Sequence, residues 1–358
     1  MASTGCIVTG GAGFIGCAIS KGLIERFGRV VAVDNLHPQV HKTASRPAAL
    51  AAGVELLRLD ITEPATWDAV LAELRPTAIV HLAAETGTGQ SLTEATRHAH
   101  VNVTGTTVML DALARHKVVP ERILLTSSRA VYGEGAWQDR AAGQTIYPGY
   151  RSREQLARGE WDFMGLHALP SSAMETRAMP TNVYGSTKLA QEHILCAWAA
   201  AFGTVPTTLR LQNVYGPGQS LSNSYTGIVS LFCRIARAQR SIPLYEDGRM
   251  LRDFVLIDDV ADALLLALSA SAPGNVPLDV GTGVATTIGD IAVHIASLYN
   301  APEPHVCALY RFGDVRHAAC TINLTRQMLA WEPRFSVQDG LLRLKGWVDI
   351  ELAAGGVD

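Results

Sequence analysis

Three observations predict an α/β chain built on a doubly wound parallel sheet. A glycine-rich turn lies between an apolar run and an amphipathic segment; an acid closes the next apolar run; further apolar runs alternate with helical stretches. The first run is Cys6-Ile7-Val8-Thr9, followed by Gly10-Gly11-Ala12-Gly13-Phe14-Ile15-Gly16 and an amphipathic segment from about Phe14 to Phe27. Val30-Val31-Ala32-Val33 reads as a second buried strand ending at Asp34. Strand, glycine turn, helix, strand is the context in which such glycines carry meaning. They permit a tight turn and bring backbone amides to a pyrophosphate at a helix N-terminus. Gly10, Gly13, Phe14, Ile15 and Gly16 are thus expected at a dinucleotide. Asp34 is spaced to accept hydrogen bonds from the adenosine ribose, and the Asn35 beside it, in place of an arginine, favours NAD over NADP.

The remaining elements continue this pattern. Val54 to Leu59 is a strand ending at Asp60-Ile61, where the acid meets the adenine amine. Ala78 to Leu82 ends in Ala83-Ala84, small enough for the backbone to pass close to a cofactor. Ile123 to Ser128 is a fourth strand. Ligands of such a Rossmann-type sheet sit at the strand C-termini.

Composition narrows the class. The 358 residues are 48% hydrophobic and 18% charged with a formal net charge of −3, which gives no case for nucleic acid or an anionic membrane as partner. No apolar run is long enough to span a bilayer, and Met1 to Cys6 shows no secretory signal. Six scattered cysteines without a Cys-x-x-Cys pair argue for reduced thiols, no metal and a cytoplasmic protein. His98 and His100 lack a partner at metal-ligand spacing and are expected on a helix surface.

Tyr184 and Lys188 stand four apart in Tyr-Gly-Ser-Thr-Lys, on one face if helical. A phenol with a pKa of about 10 is no base at neutral pH; bringing it to about 7 needs roughly 4 kcal/mol of preference for the phenolate. A nearby ammonium in a partly dry site supplies much of that.

With these pieces in place the chain resembles the extended short-chain dehydrogenase/reductase superfamily, in particular its NAD-dependent nucleotide-sugar epimerases and dehydratases. The resemblance rests on Thr9 to Gly16, Asp60-Ile61, His81-Leu82-Ala83-Ala84, Ser127 to Gly133, Tyr184-x-x-x-Lys188, Arg210 to Gly218 and Arg252 to Val260, in the family's order across nearly the whole chain. It implies a catalytic trio of Ser128, Tyr184 and Lys188. Tyr184 exchanges a proton with the sugar hydroxyl while C4 exchanges hydride with the nicotinamide; Ser128 bonds the same oxygen; Lys188 grips the nicotinamide ribose and lowers the tyrosine pKa. It further implies cofactor contacts from Leu82, Ala83, Ala84, Thr86 and Asn102. Substrate contacts are expected from Thr88, from Asn213, Arg252 and Arg311 at the diphosphate, from Tyr245 at the base, from Asp314 at the nucleotide ribose, and from Arg316.

The reaction turns on the two residues after Ser128. The family's 4,6-dehydratases carry Asp-Glu there and its decarboxylases a glutamate at the second place; here they are Arg129 and Ala130. Neither is a carboxyl acid or base, which leaves oxidation and re-reduction at one carbon: 4-epimerisation of a UDP- or dTDP-hexose. Leu211 to Thr226 and Gly313 to His317 resemble the dTDP-L-rhamnose 4-epimerase branch. A dehydratase or decarboxylase drawing its acids from elsewhere, and a non-catalytic NAD-binding regulator, are the alternatives.

Residues 1–190 are expected to be mainly the cofactor domain, with a turn-rich insert at about 134–180 read as a flap over the sugar. Residues 191–358 are expected to be mainly the substrate part, with segments near 204–212 and 253–270 returning to the main domain and Val255 to Val260 joining its sheet. Helices at about Glu94 to His116 and Tyr184 to Phe202 are the expected homodimer interface.

Overall fold

A computed structural model describes residues 4–41, 43–221, 227–269 and 275–355. Residues 222–226, at the end of the Leu211 to Thr226 stretch, lie outside the described residues, as do Met1, Ala2 and Ser3.

Strand β1 (Gly5–Thr9) leads through the glycine turn into helix α1 (Phe14–Ile24), and β2 (Arg29–Asp34) and β3 (Val54–Arg58) follow. Helix α2 (Pro64–Glu73) begins on a proline, tolerated there because the first helical amide has no partner in any case. It delivers β4 (Ala78–His81); α3 (Gly105–Arg115) precedes β5 (Arg122–Ser128). Helix α4 (Val183–Phe202) is capped by the Asn182 side chain and stops at Gly203, which takes φ +81°. Then come β6 (Val205–Leu211) and, much later, β7 (Leu278–Val280). The seven strands lie in the order β7-β6-β5-β4-β1-β2-β3, all parallel. The order reverses between β1 and β4, so the crevice at their C-terminal ends is where such a sheet takes its ligand.

Alternation along the strands feeds two cores. Cys6, Val8, Val30, Ala32, Val80 and Leu124 face α1 and helix α5 (Ile257–Ser269), through Ile19, Leu23, Val260 and Leu264. Ile7, Val31, Ile79, Ile123 and Leu125 face Trp67, Met109, Leu113 and Leu195 on the other side. A third cluster, around Phe232, Phe254, Ile291, Ile295 and Leu344, is the core of the C-terminal part.

Val255 to Val260 does not extend the main sheet. Phe254–Leu256 pairs with Asn213–Tyr215 as a separate two-stranded sheet, and the chain turns helical at Ile257, where Asp258 and Asp259 favour a helix start. Leu278–Val280 takes the sheet edge instead. His98 also departs from expectation. It is fully buried in the short helix Ala95–Ala99, its Nδ1 3.0 Å from the Glu94 carbonyl oxygen, whereas His100 is exposed. No cluster of metal-ligating side chains occurs among the described residues.

The 134–180 segment carries secondary structure of its own. Trp137–Asp139 pairs antiparallel with Thr145–Ile146 and Leu166–Ala168, and Trp137 is buried against the edge of Phe163 at 4.9 Å. Polar contacts pin it to the C-terminal part. Arg151 meets Glu246 at 2.9 Å, Asp162 meets Arg316 at 2.9 Å, and the Ser171 backbone exchanges hydrogen bonds with Ala319 and Thr321, each 2.8 Å.

Candidate active site

A cleft of about 810 Å³ opens at the switch point, lined by Gly10, Gly13, Asp34, Asn35, Asp60, Ile61, Leu82, Ala83, Ala84 and Thr86. Gly10 has φ +64°, and a Cβ there would stand 2.8 Å from the Ala83 amide nitrogen, so only glycine closes the turn this tightly. Helix α1 is entered through Gly13 without any side-chain cap. Its first amides are therefore left to an incoming anion, which fits a dinucleotide pyrophosphate. Asp34 accepts from the Ala12 amide at 3.0 Å and the Leu36 amide at 2.9 Å, fixing its carboxylate beside the turn. Burial would raise the Asp60 pKa, but hydrogen bonds from Thr62 and Asn35 outweigh it and hold the acid ionised.

Phe14, Ile15, Gly16 and Asn102 do not line this cleft. Gly16 is a packing position: a Cβ would meet the Gly11 carbonyl oxygen at 2.4 Å. Asn102 is buried with its amide occupied. It accepts from the Glu85 amide at 2.7 Å and donates to the Glu85 carbonyl at 3.0 Å and the Thr187 hydroxyl at 2.9 Å, acting as a brace under the cleft. Sequence spacing could not anticipate His37, Gln39 and His41, which also line the wall.

The trio converges from two elements. Ser128 ends β5, its hydroxyl accepting from the Ala130 amide at 3.2 Å, while Tyr184 and Lys188 lie one turn apart on α4. Burial raises the Tyr184 pKa; the Ser128 hydrogen bond and the Arg129 charge oppose it. Arg129 is a cation near the phenol that the Tyr-x-x-x-Lys spacing did not announce. Lys188 itself is 2% exposed, and burial pushes its pKa down to about 7, with Glu192 partly offsetting. Glu192 is held in turn by Arg210 at 2.7 and 3.0 Å. His81 lies beneath, bridging Thr9 at 2.7 Å and Thr106 at 2.9 Å, its pKa pushed to about 3 by burial and by Lys188.

On the substrate side, Asn213 accepts from Arg129 Nε at 2.9 Å. Arg252 is buried with its terminal nitrogens on the carbonyls of Leu251, Val315 and Arg316. Arg311 is exposed, its guanidinium 5.0 Å from the Tyr245 ring centroid. Asp314 lines a small cleft with Glu134, Tyr150 and Arg151; Thr88 lines neither cleft. Arg316 does not join the anion-binding set. It is 1% exposed with its fork filled by Asp162, Glu246 and Asp247, at 2.7–3.2 Å. A guanidinium so neutralised has no donor to spare for a phosphate.

A parallel sheet in this order with a glycine turn at its switch point defines a Rossmann-type scaffold. The chain belongs to the NAD dependent epimerase/dehydratase family, whose model matches residues 6–153 and 166–281. It is 57% identical over 346 residues to a dTDP-L-rhamnose 4-epimerase of Burkholderia thailandensis, covering 97% of this chain and 95% of that protein. It is 28% identical over 337 residues to a UDP-glucose 4-epimerase of Mycolicibacterium smegmatis, covering 94% of this chain and 96% of that protein. Among solved structures it resembles the UDP-glucose 4-epimerase of Thermotoga maritima with UDP-glucose (TM-score 0.77, 26% identity, 98% of this chain and 100% of that one). The Thermus thermophilus UDP-glucose 4-epimerase in complex with NAD is similar (TM-score 0.76, 26% identity, 97% and 99%).

Proposed function

We propose that this protein is an NAD-dependent nucleotide-sugar 4-epimerase, and that its substrate is a dTDP-linked 6-deoxyhexose of the L-rhamnose type. The observation that carries the reaction is the intact Ser128–Tyr184–Lys188 trio beside Arg129 and Ala130, where an elimination would need carboxyl groups. The 57% identity to a dTDP-L-rhamnose 4-epimerase supports the choice of nucleotide and sugar.

NAD, when bound, supplies reversible hydride exchange with sugar C4. Gly10 and Gly13 would seat its pyrophosphate, Asp34 would hold its adenosine ribose and Lys188 its nicotinamide ribose. Tyr184 takes the proton of the C4 hydroxyl and returns it after the 4-keto sugar has turned its other face; Ser128 donates to the same oxygen. Arg129 opposes the effect of burial on the phenol. The insert, pinned by Arg151 and Asp162, forms a wall on the sugar side. Glu134, at the start of the insert, has a pKa pushed up to about 7 by burial. It faces Arg151 at 3.3 Å and accepts from the Arg316 amide at 2.9 Å, so it is committed to the protein and does not stand in for a dehydratase acid.

Two copies are proposed to pair through α4 and the helices from about Glu94 to His116. Trp198 and Phe202 stack there at 4.4 Å, with Phe202 exposed. Sedimentation showing only monomer at micromolar concentration would contradict this pairing. Six free cysteines fit a reducing cytoplasm, and no described helix is long and apolar enough to cross a membrane.

The test is NMR of products from dTDP-L-rhamnose, UDP-glucose and GDP-sugars, with released cofactor identified in parallel. Epimerisation of a dTDP-sugar without change of mass is expected. Loss of water or carbon dioxide would transfer the assignment to the dehydratase branch.

A further inference from the structure

Arg129 stands where an acid would sit in a dehydratase, and the fold gives its charge a place between two functional groups. It opens the short 3₁₀ turn Arg129–Tyr132 that leaves β5 at Ser128. The start of α4 rests on that turn: a Cβ at Gly185 would stand 2.5 Å from the Ala130 carbonyl oxygen. Tyr184 and Arg129 therefore flank a single backbone contact. On its other side Arg129 donates through Nε to Asn213 Oδ1 at 2.9 Å, its one hydrogen bond among the described residues. The like charge of Arg252 acts on it, and burial with that charge pushes its pKa down to about 9, still a cation at neutral pH.

The neighbouring arginines are neutralised. Arg151 is paired with Glu134 and Glu246, and Arg316 with Asp162, Glu246 and Asp247. Among the described residues Arg129 and Arg252 have no such ion pair. The charges of Asp314 and Glu134 reach both arginines but neither acid forms an ion pair with them, and two guanidiniums so crowded in a partly dry site form an arrangement that an incoming anion relieves. The sugar must present C4 to Tyr184, and the anion one ring-width from C4 is the phosphate on C1.

We propose that Arg129 is a substrate-binding residue that, with Asn213, grips the sugar-proximal phosphate of the nucleotide diphosphate and so holds the sugar against Tyr184. This rests on the nucleotide-sugar reading above. The terminal guanidinium nitrogens supply the grip while Nε stays on Asn213.

Calorimetric titration of the NAD-loaded enzyme with dTDP and dTMP, and with UDP and UMP, tests it on wild type, Arg129→Met and Arg129→Lys. The diphosphates have the sugar-proximal phosphate; the monophosphates lack it. Arg129→Met is expected to weaken diphosphate binding about 10- to 100-fold and monophosphate binding less than about twofold. Arg129→Lys should fall between, keeping the charge but losing the fork. Unchanged monophosphate binding also shows that each variant is folded. Equal weakening of both ligands by both variants, or none, overturns the proposal. A wild type that binds none of the four overturns the nucleotide-sugar reading itself, and the Arg129 assignment with it.

Discussion

Replacing Lys188 by methionine is expected to stabilise the cofactor-free protein while destroying its activity. The ammonium is 2% exposed, and burial lowers its pKa from 10.5 to about 7. Between those pH values the unfolded chain binds a proton that the folded protein does not, so stability rises with pH across that window and the full cost is present below about pH 7. The difference, 10.5 − 7 = 3.5 pH units, is worth about 5 kcal/mol at about 1.4 kcal/mol per unit. Methionine fills similar space without charge, and Glu192 retains Arg210 and Ser127 as partners. After local relaxation a gain of about 2–4 kcal/mol is expected at pH 6–7, shrinking towards zero by about pH 10. Urea denaturation of both proteins from pH 6 to 10, with NAD stripped, reads it directly. Turnover should fall at least about 100-fold in the same preparation. A variant less stable than wild type at pH 7, or a difference flat with pH, would refute the reasoning.

Tyr184→Phe should lower turnover about 10²- to 10⁴-fold with NAD affinity unchanged; full turnover by NMR would remove Tyr184 from the proton transfer. Gly185→Ala places a methyl 2.5 Å from the Ala130 carbonyl oxygen, backbone against backbone. A loss of about 1–3 kcal/mol in denaturation and more than about tenfold in turnover is expected as α4 shifts from Ser128. Arg316→Met leaves Asp162 with His317, Asp247 with the Arg249 amide and Glu246 with Arg151; about 1–3 kcal/mol of destabilisation is expected, and an unchanged denaturation midpoint would show that this clasp holds nothing.

What the sequence made legible was what depends on local pattern. The glycine turn, Asp34 at its strand end and the Tyr184–Lys188 spacing all follow from neighbours a few residues apart. Charge pairing was not legible. Arg316 and Arg252 look alike in sequence, yet one is filled by acids from 69 to 154 residues away and the other is not. Arg129 was read for the acid it replaces, because nothing near it in sequence announces Asn213, 84 residues on. Sheet membership failed for a similar reason. Phe254 to Leu256 is wholly apolar while Leu278 to Val280 carries Asp279 at its centre, yet the first turns helical at Ile257 and the second reaches the sheet edge.

The position of β7 also governs how the chain assembles. Leu278–Val280 completes a sheet whose other six strands end at Leu211, and Asp279 ties it to Tyr132 at 2.8 Å and to the Ala173 amide at 2.9 Å. During synthesis the cofactor half therefore waits, with β6 as a bare edge, until most of the substrate half has emerged. Such an edge invites pairing with other chains, and long-range closure of this kind slows folding. Truncation before β7 should accordingly yield an aggregating fragment, not an autonomous cofactor domain.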